Sequence, residues 1–184
     1  MLRTHLIPLF CLLSLAGILP ALVLGESSAQ GSGPARLRAL AHEYFSWRNE
    51  QYPVFSSDQG LHRWDDRLTD YSMQAVAARR ERQKSLLAEV AALPGDSWGR
   101  NDRIDWLLLR ADLERAAFFD RVLLFEETNP QIYVNECSNG IFSLLKKDYD
   151  TPRNRALSAS ARLKAMPAML EQGRKNLNKP VRLY

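Results

Sequence analysis

Residues 51–72 read QYPVFSSDQGLHRWDDRLTDYS, and this stretch decides how the chain is divided. It has no clean helical period, whereas the residues on both sides of it do. Pro53, Gly60, His62, Trp64 and the acidic pair Asp65–Asp66 fall within one short span. In a compact domain an irregular segment this long is a packed or functional loop, or in part a short helix. Pro53 stops the helix before it. Ser57 or Asp58 is expected to cap a short turn, and Gly60 to take a left-handed conformation.

The polar residues of this segment have two roles open to them. In one, Asp65 or Asp66 orients His62 for acid–base work or metal binding, in a cluster with Trp64 and Arg67. In the other, arginine–carboxylate pairs tie the loop down and Trp64 is its apolar plug.

On the N-terminal side, a helix is expected to begin near Pro34, a residue suited to a first turn. Leu37, Leu40, Ala41, Tyr44 and Phe45 follow helical spacing. His42–Glu43 starts like a zinc-peptidase helix, but that chemistry needs a second imidazole four residues on, and Ser46 stands there. His42 is therefore a surface or packing histidine. Residues 26–33, ESSAQGSG, are a polar linker with nothing to bury. Residues 1–25 have a short basic start (Arg3, His5), an apolar run, and small residues after it, which is the form of a signal peptide. The chain is then exported, periplasmic or extracellular. The rival is a membrane anchor formed by residues 6–24, although Pro8 and Pro20 disfavour a straight span.

On the C-terminal side, Ser72 opens a helix with Met73, Val76, Ala77, Leu87 and Val90 on its apolar side. Arg79, Arg80, Arg82 and Lys84 are expected on its solvated face. Pro94–Gly95 ends it. A third helix runs from about Asn101 to Phe125 on the same periodicity. Ile104, Leu107, Leu108, Ala111 and Phe118 lie on one side, with Trp106, Leu109 and Leu113 widening the stripe. Residues 128–140, TNPQIYVNECSNG, form a second irregular segment with a turn at Asn139–Gly140. A short apolar helix follows to Leu145. Thr151 caps a last helix with Pro152 in its first turn. Leu157, Ala161 and Met166 are its apolar positions, and Pro167 is expected to kink or restart it. No strand alternation appears. The fold class is all-α, an irregular helical bundle of about five to six helices over residues 34–184, after an export signal.

The 184 residues are 46% hydrophobic, enough for a real core. The formal charge is +4, and loss of Arg3 with a leader leaves 24 basic against 21 acidic groups. Both signs are interleaved, which excludes the basic face of a nucleic-acid binder. Cys137 is the only cysteine outside the leader, so no internal disulfide can form; it is a buried apolar residue or a free thiol. Outside the leader only His42 and His62 are available as imidazoles. There is no Gly-x-Ser-x-Gly turn, phosphate loop or dinucleotide fingerprint. No catalytic, metal-binding or cofactor-binding residue is assigned from these patterns.

Four stretches, taken together, resemble one family. They are EYFSWRNEQYPVFSSDQGLHRWDDRLTDYS, RIDWLLLRADLER, TNPQIYVNECSNGIFSLLKKDYDTPRNR and ARLKAMPAMLEQGRKNLNKPVRLY. They are similar to the amino-terminal part of the bacterial domain-of-unknown-function 885 family. The resemblance covers nearly everything from Leu37 to Tyr184. It implies an exported, all-helical protein whose later half carries a His-Glu motif followed by Pro-Gly-His-His, like a zinc-dependent peptidase acting on peptides. This chain ends before that motif, so no metal or catalytic residue carries over, and zinc is implied only for full-length relatives. The expected partner is the missing C-terminal half, with an exposed apolar patch near Ile132, Tyr133, Phe142 and Val181. A self-contained periplasmic binding or scaffold module is the alternative.

Overall fold

The computed structural model describes residues 33–179 and 181. The proposed leader and all of the linker except Gly33 lie outside the described residues. Gly33 itself is the first residue of α1 (Gly33–Gln51), not part of a linker. It lies so close to the Trp98 ring that a Cβ there would come within 2.6 Å of it. The other elements are α2 (Pro53–Asp58), α3 (Met73–Ala91), α4 (Arg100–Phe118), α5 (Phe125–Thr128), α6 (Gln131–Leu145) and α7 (Pro152–Asn176). There is no strand among the described residues.

α1, α3 and α4 form the first packing unit. Arg38 meets Asp102 and Tyr44 meets Asp112, so α1 and α4 run parallel. Arg36–Glu89 and Arg82–Glu43 show α3 antiparallel to α1. Leu37, Leu40, Leu86, Val90, Trp106, Leu109 and Leu113 fill the space between them. Trp106 donates its Nε1–H to the Val90 carbonyl at 2.8 Å, so its one polar atom is satisfied in the core.

α6 and α7 form an antiparallel hairpin, with Tyr133 beside Asn176 and Gly140 beside Arg162. α2 packs on the side of this hairpin where Val54 meets Gly140. Tyr71 and Tyr133 meet edge to face at 4.9 Å, beside Met169. Asn176 donates to the Tyr71 carbonyl at 2.7 Å and fastens the end of α7 to the segment before α3.

Helix ends follow the sequence closely. Ser72 Oγ accepts from Ala75 N–H, and Thr151 Oγ1 from Asn154 N–H, as N-caps. Gly60 has φ +87°, the left-handed conformation expected of it. Ser57 caps nothing, because it sits inside α2 and is buried. Of residues 128–140 only Asn129–Pro130 form a turn, between α5 and α6; the rest is not irregular, because α6 runs on from Gln131. Gly140 lies within this helix, and its missing Cβ leaves room for Leu68, which would stand 3.2 Å from a Cβ there.

The inward faces differ from those expected. On α3 the buried residues are Val76, Arg79, Gln83, Leu86 and Val90, while Met73 is exposed. Arg79 is therefore not on the solvated face; it donates to the Asp70 carbonyl. On α4 the widening residues Trp106, Leu109 and Leu113 are the core, whereas Ile104, Leu107, Leu108 and Phe118 are exposed. On α7 the inner positions are Ala159, Arg162, Met169, Gly173 and Asn176, and Leu157 is exposed. α7 does not restart at Pro167. That residue is exposed, so the Leu163 carbonyl freed by the missing N–H lies on the solvent side.

Candidate functional site

α2 and the turn after it bring the polar residues of the 51–72 segment together. Leu61 N–H donates back to the Ser56 carbonyl and Gly60 N–H to that of Ser57. The left-handed Gly60 allows this reversal. His62–Trp64 then form one tight helical turn, which leaves Asp65 buried over Ser57. Ser57 Oγ is 2.5 Å from Asp65 Oδ1 and donates to it. His62 Nδ1 is 3.0 Å from Asp65 Oδ2. The carboxylate can only accept, so Nδ1–H is the donor of this bond. The Tyr149 ring stacks on His62 with centroids 3.4 Å apart.

Arg162 sits beneath this cluster, fully buried. Its Nη2 donates to Ser57 Oγ at 2.6 Å, its Nη1 to the Gly140 carbonyl at 2.7 Å, and its Nε to the Arg67 carbonyl at 2.9 Å. Burial depresses its pKa, and the negative charges of Asp65 and Glu136 oppose that shift. Asp65 Oδ1 lies 4.0 Å away. Glu136 accepts from Thr69 N–H at 2.7 Å, and burial raises its carboxyl above the usual range. Burial, and then the nearby Asp65 carboxylate, raise the Tyr149 phenol above its ordinary value.

Of the five residues singled out from sequence, His62 and Asp65 meet directly. Trp64 is half-buried and lines a groove against α1. The Asp66 and Arg67 side chains are exposed, 3.9 Å from each other, and Arg67 enters the cluster only through its carbonyl. Ser57, Tyr149 and Arg162 were not singled out. The one sequence signal for Arg162 is its place in the helical series Ala159, Arg162, Met169, Gly173.

The arrangement holds the His62 ring in one orientation and buries one ion pair, Arg162–Asp65. Ser57 is buried and its oxygen accepts from Arg162, so its hydroxyl is not presented to a substrate as a nucleophile. Among the described residues, no three His, Cys, Asp or Glu side chains form a metal-holding group. Cys137 is half-buried beside the Tyr71–Tyr133 cluster, and burial followed by the Glu136 charge raises its thiol pKa.

A second charged group surrounds Arg80. Glu126 lies 3.0 Å from it, Glu127 3.6 Å and Asp120 3.9 Å. Asp120 belongs to a π-helical turn, Phe119–Leu123, which ends at left-handed Leu124. Burial, then the Glu126 charge, push the Asp120 carboxyl up to about 6.

A family model described as "Bacterial protein of unknown function (DUF885)" matches residues 53–183. No curated protein and no solved structure matches the chain.

Proposed function

The chain belongs to the bacterial family of unknown function DUF885, and from that membership we propose that it is the helical front portion of an exported, zinc-peptidase-like protein, with the reactive groups carried elsewhere. The observation that carries this is an uncovered apolar face on the α6–α7 hairpin. Val134 (52% exposed) and Leu145 (57%) follow helical spacing on α6; Leu163 (55%) and Leu170 (45%) do so on α7. Relative to Gly140 and Arg162, which face each other, these four fall on the same side of the antiparallel pair. That side is opposite the one occupied by α2 and the 53–72 segment. Exposed apolar side chains gathered on one side of a helix pair mark an interaction face. The C-terminal half of a family member is the partner proposed for it. Of the patch residues expected from sequence, Phe142 and Val181 are exposed, whereas Tyr133 is buried in the second core.

Export rests on the form of residues 1–25. Among the described residues no helix is long and apolar enough to cross a membrane. The closed core around Leu40, Leu86 and Leu113 favours a second reading, a self-contained periplasmic helical module.

An apolar dye and a peptidase assay separate the two. For a front portion, the chain binds the dye, Leu163→Lys with Leu145→Lys removes that binding without loss of helicity, and zinc confers no peptidase activity. Absence of dye binding by the folded chain favours the self-contained module. Zinc-dependent peptide hydrolysis by the chain alone overturns both. Edman sequencing of periplasmic protein tests the leader.

A further inference from the structure

A groove of about 650 Å³ opens between α1 and the turn at residues 60–64, within the roughly 300–1,000 Å³ of small-molecule clefts. α1 precedes the residues matched by the family model, so half of this groove lies outside the matched region. Trp47 lines it from α1 and Trp64 from the turn. Each indole is half-buried.

The charges of the lining are already balanced. Glu43 pairs with Arg82, and Glu50 lies 3.9 Å from Arg67. The Arg63 guanidinium lies 5.6 Å from the Trp64 ring centroid, so any ligand meets that indole on the face away from Arg63, and the paired carboxylates leave little charge to draw a cation. What the groove offers is two aromatic surfaces ringed by fixed acceptors, with the Asn49 amide beside them. His62 adds one more polar atom: Asp65 holds Nδ1, Tyr149 covers the ring face, and Nε2 has no partner among the described residues.

We propose that this groove is a carbohydrate-binding site that takes a neutral saccharide containing one or two pyranose rings. The apolar C–H face of a pyranose stacks on an indole. Its hydroxyls donate to Glu43 and Glu50, accept from the Asn49 amide and bond to His62 Nε2. The proposal is independent of the α6–α7 face, which lies on other elements.

The test is tryptophan emission of the full chain, titrated with chitobiose, cellobiose and maltose, and with tetramethylammonium chloride as the cation control. Saturable change with at least one disaccharide and none with the ammonium salt is expected. Trp64→Ala should weaken that binding about tenfold or more. Should that variant fail to fold, Glu50→Gln, at an exposed position, should weaken it in the same direction. No saturable change with any of the three sugars overturns the proposal. So does a sugar response unaltered in the folded variant, or saturation by the ammonium salt alone.

Discussion

Arg162 Nη2 donates to Ser57 Oγ at 2.6 Å although 105 residues separate them in the chain. Ser57 passes the interaction on to Asp65, and Asp65 to His62. The cluster that looked like a local feature of one loop is thus anchored by the last helix.

Arg162→Ala should be severely destabilising. It leaves the Gly140 and Arg67 carbonyls without their donor and Asp65 without its nearest positive charge. Loss of one partner from a buried ion pair costs about 3–5 kcal/mol. Urea denaturation followed by circular dichroism reads this directly. Arg162→Met in an Asp65→Asn background should recover part of it, because the Asp65 charge is then no longer buried without its partner.

Two glycines should respond to alanine for different reasons. At Gly173 a Cβ would come within 2.7 Å of the Tyr133 ring, and the ring is held by Asn176 and by the Glu126 carbonyl. Overpacking of about 1–3 kcal/mol should outweigh the roughly 1 kcal/mol gained in helix propensity. At Gly60 nothing stands within 4 Å, but φ is +87°. Gly60→Ala should cost about 1–2 kcal/mol from backbone strain alone. Thermal unfolding of the two variants measures both.

Asp120 should make stability fall with rising pH. Its folded pKa of about 6 lies above the ordinary 3.8, so the folded chain binds the extra proton between those values. The favourable contribution of the protonated form is complete below the unfolded value and is lost as pH rises through the folded one. Asp120→Asn, which keeps a neutral side chain, should gain about 1–2 kcal/mol over the parent at about pH 8, allowing for solvent screening. At about pH 4 the two should be nearly equal. Chemical denaturation at both pH values checks this.

Tyr149→Ala should free His62 without unfolding the domain. The stack is worth about 0.5–1.5 kcal/mol beyond the area it buries. Amide exchange should rise at residues 60–65 and stay unchanged in α4. Unchanged exchange in the turn would show that Asp65 alone holds the ring.

Much of the architecture was legible from punctuation. Ser72 and Thr151–Pro152 mark helix starts and Pro53 the stop of α1, because capping and the missing proline N–H are local physics. Helical phase was harder to read, because the stripe method assigns apolar residues inward. Here Arg79, Gln83, Arg162 and Asn176 take inner positions, and all but Gln83 bond to backbone carbonyls there. Ile104 and Leu108 stay outside. The first part of α6, before Gly140, was missed because its Asn139–Gly140 pair imitates a turn. The close approach of Leu68 to Gly140 comes from a distant segment. Likewise His62 and Asp65 are three residues apart and could be paired by inspection. Ser57 and Arg162 are joined only by the fold.

The way α7 reaches back over the chain also sets a timetable for synthesis. α1, α3 and α4 can close their own core once the ribosome has released the chain through Leu113. The carbonyl of Arg67 must wait in water until residue 162 emerges, so the turn bearing His62 is among the last parts of the molecule to set.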